Sequence, residues 1–162
     1  MTARASVPAL DHLLPGRLDG AYRGHAAGLW LLGAVLFVRT GIALGCLFNG
    51  RMAAQSADGV PLDALGAAGA QAVVSLFGLW GLAQLVISAI GLLALARYRA
   101  LVPLVSALLL VEHLARRALL LVRPVATAGV HPGVVVNLVL LTATAAALGF
   151  ALWEQGDAPG PA

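Results

Sequence analysis

The sequence has no lysine, one cysteine and few charged residues; Asp, Glu, Lys and Arg together make up 10% of its 162 residues. Soluble domains contain roughly a quarter charged residues, so this composition excludes an ordinary soluble protein and is typical of an integral membrane protein. Because Cys46 has no second cysteine to pair with, an internal disulfide and the usual zinc and redox spacings are excluded. We predict no cofactor and no metal site.

The sequence also lacks a basic stripe and catalytic motifs. Its formal charge of +3 could suggest nucleic acid as a partner, but the arginines are scattered around hydrophobic segments without interleaved aromatic residues. We therefore predict no nucleic-acid binding. No nucleophile elbow, zinc-protease motif or glycine-rich phosphate loop is present, so nothing supports an enzyme and we name no catalytic residue.

Long hydrophobic runs are abundant. Each of four segments has the length that a membrane-spanning helix needs, about 20 residues. The sequence predicts an all-α integral membrane protein whose four-transmembrane-helix bundle (27–153) lies between an N-terminal tail (1–26) and a C-terminal tail (154–162). The predicted helices cover residues 27–48, 72–96, 101–122 and 133–153.

Arginines near the segment ends predict the orientation. Four spans place both termini on one side, and more arginines lie there than on the opposite side, so the positive-inside rule puts both termini in the cytoplasm. The cytoplasmic arginines would be Arg4, Arg17, Arg23, Arg97 and Arg99, against Arg51 and Arg123 opposite.

The third segment carries Glu112, His113, Arg116 and Arg117 among Leu, Val and Ala. Ionisable groups are costly in hydrocarbon, so these side chains should face protein or water. At about 100° per residue they fall within one broad half of the helix. The segment therefore predicts a helix with one lipid face and one polar face that other helices cover.

Arg39 on the first segment and Glu112 on the third should lie at similar depth, because both helices run outward and rise by about 1.5 Å per residue. This depth match predicts an ion pair between them. A local pair of Glu112 with Arg116, four residues on, is an equal alternative, and one network of all three is a third.

We expect a polar cluster in the outer half of the bundle, to which every helix contributes. Its members would be Arg39, Gln84, Glu112, His113, Arg116, Arg117 and Asn137. One interpretation is that the cluster only fixes helix register. Another is that its excess positive charge binds a lipid head group or a quinone-like molecule, or that it holds another membrane protein. The further alternatives are a small oligomeric transporter that uses Glu112 and His113, and a membrane redox subunit or enzyme.

Small residues predict where helices approach closely. Gly81, Gln84, Ser88 and Gly91 form one stripe on the second segment, and Gly41 and Gly45 form a small-xxx-small pair on the first. The connection between these segments, residues 49–71, is predicted to be exposed, with a short helix near Leu62 to Ala68.

A pattern running from Arg97-Tyr98-Arg99 and Pro103-Leu104 through Glu112-x-x-x-Arg116 to Pro132-Gly133 and Asn137 resembles small bacterial four-helix membrane proteins of the broad DoxX-like kind. The resemblance implies a four-helix inner-membrane protein, in a group associated with quinone-linked or oxidative-stress complexes. It implies no particular catalytic residue.

Overall fold

A computed structural model describes residues 22–125, 127 and 131–153, and within these residues the chain is helical, with no β-strand. The long helices are α1 (Ala26–Phe48), α2 (Gly66–Arg97), α3 (Val102–Val122) and α4 (Pro132–Leu152). The predicted C-terminal tail and most of the predicted N-terminal tail lie outside the described residues.

The helix boundaries follow local sequence signals. The Nδ1 atom of His25 accepts a hydrogen bond from the Ala27 N–H (3.1 Å) and caps the start of α1. Pro132 begins α4, where its missing N–H leaves no helical hydrogen bond unmade. The prediction for α2 was wrong at its N-terminus, because the helix begins at Gly66 and not near residue 72. Its first turns are rich in Ala and Gly, a composition that favours a connection with only a short helix near Leu62 to Ala68.

α1 lies at the centre of the bundle and packs mainly against α2 and α4, whereas α3 packs mainly against α4. The predicted stripe on α2 is confirmed as a packing surface, since Gly81, Gln84, Ser88 and Gly91 are all buried. A Cβ atom built on Gly81 would lie 2.7 Å from the carbonyl oxygen of Ala43 on α1. Glycine is therefore what permits the α1 and α2 backbones to approach this closely.

The main hydrophobic core lies between α1, α3 and α4, away from the end of the bundle that holds the α1–α2 and α3–α4 connections. We call that end the connection end. The fully enclosed core side chains are small or aliphatic, and include Leu32, Leu36, Val102, Leu109, Ala147 and Ala151.

Much of the α1–α2 connection is exposed, as predicted, and the short helix predicted near Leu62 to Ala68 is present as a 3-10 turn that runs into α2, but the rest of the connection is folded and partly buried. It contains a short helix (Gly50–Met52), a π-helical turn (Ala53–Ala57) and a 3-10 turn (Leu62–Leu65). Ala54 and Leu62 are buried and form a second small core with Ala70 of α2. The apolar residues of this segment pack back onto the start of α2. The hydrophobic periodicity of a single helix does not predict such packing between segments.

The predicted contact at Gly41 and Gly45 is absent from the described part of the chain. Nothing lies within 4 Å of a Cβ atom built on either residue. Gly45 instead borders a cavity near the connection end. The small-xxx-small spacing is thus present without the helix packing that it often supports.

Three stretches within the described residues are long and apolar enough to cross a membrane: Ala26–Phe48, Leu62–Arg97 and Pro132–Leu152. α3 has a comparable length but carries Glu112, Arg116 and Arg117. Large apolar side chains are exposed on the long helices, which is the surface expected of a multi-pass membrane protein. Examples are Trp30 and Phe37 on α1, Leu79 and Ile90 on α2, Leu121 on α3 and Val139 on α4.

Candidate functional site

The structure brings five of the predicted residues into one hydrogen-bonded group, which we call the polar cluster: Arg39, Gln84, Glu112, His113 and Arg116. α1 contributes Arg39, α2 contributes Gln84, and α3 contributes the other three. Because α2 and α3 otherwise make few contacts, the cluster is the main link between them.

Glu112 is the centre of the polar cluster. Its Oε2 atom lies 3.0 Å from Arg39 Nη2, so the predicted ion pair between α1 and α3 is present. Its Oε1 atom accepts hydrogen bonds from Arg116 Nη2 and, at 3.1 Å, from Gln84 Nε2. The inter-helix pair and the local pair that we weighed as alternatives therefore occur together, and both carboxylate oxygens are engaged.

Arg39 is 5% exposed, and its guanidinium group is held from three directions. Besides Glu112, the Gln84 side-chain oxygen accepts from Nη2, and the His113 ring lies 3.1–3.2 Å from Nη1. A buried guanidinium needs such partners, because an unpaired charge in a low dielectric is very costly. The buried Arg39 Nε atom has no partner among the described residues.

The hydrogen bonds of His113 assign its tautomer. Its Nδ1 atom lies 2.9 Å from the carbonyl oxygen of Leu109, which can only accept, so Nδ1 carries a proton. Arg39 Nη1 lies 3.1 Å from Nδ1 and 3.2 Å from Nε2. Because the guanidinium can only donate and Nδ1 already carries a proton, Nε2 is the acceptor. We therefore assign a neutral imidazole. With one carboxylate and two guanidinium groups, the polar cluster carries one net positive charge.

Arg116 lies on the open side of the polar cluster. Its guanidinium carbon is 4.8 Å from the centre of the Trp80 ring, a cation–π arrangement that the sequence analysis missed. Trp80 and Gln84 are four residues apart on α2, so they lie on the same face of that helix. That spacing was visible in the sequence, but which α3 residue would meet Trp80 was not.

Two cavities meet at the connection end. One has a volume of about 390 Å³ and lies against α1, and the other, about 510 Å³, lies between α2, α3 and α4. Asp58, Phe77, Trp80 and Asn137 line both cavities, and Arg116 lines the larger one. Their volumes are those of small-molecule sites, roughly 300–1,000 Å³.

Arg117 and Asn137 belong to the cavities and not to the polar cluster. Arg117 lies outside the hydrogen-bonded group, because it is rotated by about 100° from Arg116 and is exposed. It borders a third cavity of about 240 Å³ between α3 and α4. Asn137 lines this cavity and both larger ones, and among the described residues no hydrogen bond joins its side chain to another residue.

Asp58 is the cavity residue whose importance the sequence analysis did not recognise. Burial raises the pKa of its carboxyl group, while the nearby charges of Arg116 and His131 act in the opposite direction. The carboxylate packs against Gly133, where a Cβ atom would lie 2.5 Å from Asp58 Oδ1. The π-helical turn that ends at Ala57 delivers Asp58 to this position.

No model of a known protein family, no curated protein and no solved structure matches this chain. The DoxX-like resemblance therefore stays a prediction. Among the described residues, no group of three or more His, Cys, Asp or Glu side chains is arranged to hold a metal ion. The polar cluster and the cavities beside it are therefore the candidate functional site.

Proposed function

We propose that this chain is a small binding protein of the bacterial inner membrane that holds one amphiphilic molecule, a lipid or a quinone-like compound, at its connection end. In this proposal α3 is a fourth span, both termini are cytoplasmic, and the connection end faces outward. α3 can cross because Glu112 and Arg116 are paired within the bundle.

The observation that carries the proposal is the position of Arg116. Its Nη2 atom is bound to Glu112 and its planar face covers Trp80, yet the residue also lines the cavity of about 510 Å³. Its other N–H groups make no hydrogen bond to the described residues, so they can donate to acceptor oxygens of a ligand. Because the polar cluster keeps one net positive charge, an anionic or strongly polarised acceptor fits this site.

The rest of the cavity wall suits an amphiphile. Phe77, Leu120 and Val134 supply apolar surface, and Asn137 supplies an amide next to Arg116. A phosphate oxygen and a quinone carbonyl are both acceptors that a guanidinium and an amide can bind. A ligand with a polar head and an apolar body would therefore place its head against Arg116 and Asn137.

This geometry supports binding better than proton transport through Glu112 and His113. Both carboxylate oxygens of Glu112 already accept hydrogen bonds, two of them from guanidinium groups, which stabilise the ionised form. Proton uptake would require the two ion pairs of this carboxylate to loosen. A role limited to fixing the register of the helices would account for the polar cluster but not for the cavities beside it.

The test is native mass spectrometry of the protein extracted gently from its own membrane. We expect a bound mass that matches a phospholipid or a quinone, and its loss in Arg116→Gln. Removing the charged donor should weaken binding about tenfold or more, since a charge-assisted hydrogen bond contributes roughly 1.5–3 kcal/mol. Added phosphatidylglycerol and a short-chain benzoquinone then distinguish the two sources of acceptor oxygen.

Arg123→Gln is the matched control, because Arg123 has the same charge, directly follows the same helix, is exposed and lines none of the three cavities. It should keep the bound mass. Equal retention in both variants, or a protein that carries no ligand, would contradict the proposal. Flux of protons in liposomes that disappears in Glu112→Gln would favour the transporter instead.

A further inference from the structure

A second charged group faces the proposed binding site. Arg116 and Asp58 both line the cavity of about 510 Å³, one from α3 and the other from the α1–α2 connection. Asp58 also lines the adjoining cavity of about 390 Å³. The combined space thus has a cationic wall and an acidic wall, with Phe77 and Trp80 lining both cavities.

Asp58 makes no ion pair within the described part of the chain. The salt bridges there join Glu112 to Arg39 and Arg116. Arg116 acts on Asp58 only through space, and so does His131, whose ring packs over Gly59. A half-buried carboxylate in a cavity wall is therefore free to accept hydrogen bonds from a bound cation.

We propose that the ligand is a zwitterionic phospholipid with a primary amine, of the phosphatidylethanolamine type; this inference rests on the proposed function. Its phosphate oxygens would bind Arg116 and Asn137, and its ammonium group would bind Asp58. A lipid with a glycerol head group offers the phosphate but no cation, so it would leave Asp58 buried without a donor of opposite charge. Asp58 is then the residue that determines head-group specificity.

The energetics of Asp58 suit such a role. A carboxyl group whose pKa is raised binds its proton more tightly in the folded than in the unfolded protein. Its contribution to stability is present below the unfolded pKa and is lost as the pH rises through the folded pKa. At neutral pH the ionised group therefore lowers the stability of the ligand-free protein, and a bound ammonium would offset this.

The experiment uses protein stripped of lipid and placed in nanodiscs that contain equal amounts of phosphatidylethanolamine and phosphatidylglycerol, with bound lipid counted by native mass spectrometry. Wild type should retain the ethanolamine lipid in about tenfold or greater excess, the size expected for one charge-assisted hydrogen bond. Asp58→Asn should bring the ratio near one without lowering the total. Asp58→Glu should keep the preference, and Asp63→Asn, an exposed aspartate of the same connection, should not change it.

A thermal midpoint on the stripped protein at neutral pH separates this role from a structural one. We expect Asp58→Asn to raise the midpoint. If the Asp58 carboxylate only stabilised the N-terminus of α4, the same substitution would lower the midpoint. A wild-type ratio near one, or the same preference in Asp58→Asn, would overturn the inference and leave the amphiphile site standing. Lipid that stays bound in Arg116→Gln would overturn the proposed function itself.

Discussion

Glu112 balances two guanidinium groups at once, so its replacement affects more than one contact. Glu112→Gln leaves Arg39 and Arg116 without a counter-charge, and Arg39 is the more buried of the two. Breaking a buried pair by removing one partner costs about 3–5 kcal/mol. We expect a loss of that order in the free energy of unfolding, measured by reversible unfolding in mixed micelles.

The double variant tests whether the ion pair is what couples α1 to α3. Arg39→Gln alone should also destabilise, and Arg39→Gln with Glu112→Gln should lose less than the two single losses combined, by about 1–3 kcal/mol. Strict additivity would show that the two side chains do not interact. Arg117→Gln, outside the polar cluster, should change stability by less than about 0.5 kcal/mol.

Single residues were only partly predictable. The pairing of Arg39 with Glu112 followed from helix periodicity and depth. Two side chains of opposite charge at the same depth in the membrane are each stabilised by pairing, because an isolated charge there is costly. The stacking of Arg116 on Trp80 did not follow, since it depends on how α2 and α3 are rotated about their axes. Asp58 was missed because its position depends on a π-helical turn that has no periodic signal.

At the scale of helices, replacing glycine by alanine should have opposite effects on stability at one position of α2 and one position of α1. At Gly81 of α2 an added Cβ atom would lie 2.7 Å from the Ala43 carbonyl oxygen and 2.8 Å from the Leu47 nitrogen, both backbone atoms of α1. Gly81→Ala must therefore push α1 and α2 apart, and we expect a loss of about 1–3 kcal/mol in the free energy of unfolding.

Gly41→Ala on α1 is the matched comparison. Nothing lies within 4 Å of its added Cβ atom, and alanine is the better helix former by up to about 1 kcal/mol. We expect unchanged or slightly higher stability from the same unfolding measurement. A large loss at Gly41 would indicate that this face contacts a second copy of the chain, the homo-oligomer that the sequence analysis considered.

The elements themselves were largely predictable because their apolar runs are long and bounded by Arg, Pro and Asn. Three of the four helix starts lie within one residue of the predicted positions. The start of α2 was missed, since Ala and Gly near a helix N-terminus carry little hydrophobic signal. Packing of the α1–α2 connection onto α2 depends on tertiary contacts that no single segment encodes.

For the whole molecule, the crossing of the membrane by α3 has a direct test. If α3 crosses the membrane, reporters fused near Asp58 and at the C-terminus should be on opposite sides, with the C-terminus in the cytoplasm. If only the three most apolar stretches cross, both reporters would be on the same side. Alkaline phosphatase and green fluorescent protein fusions distinguish these results, and a reporter in the loop near Arg99 should share the cytoplasmic side in both cases.

The uneven packing of the four helices has a mechanical consequence. α1, α2 and α4 form a fixed platform, while α3 is attached on one side through α4 and on the other mainly through the polar cluster. Val102 and Leu109 hold the first half of α3 in the main core, so a tilt of α3 would mainly displace its second half. The second half of α3 carries Arg116. A change in bilayer thickness or lateral pressure would therefore act first on this arginine of the proposed site. Affinity for the ligand and the physical state of the surrounding membrane would then be linked.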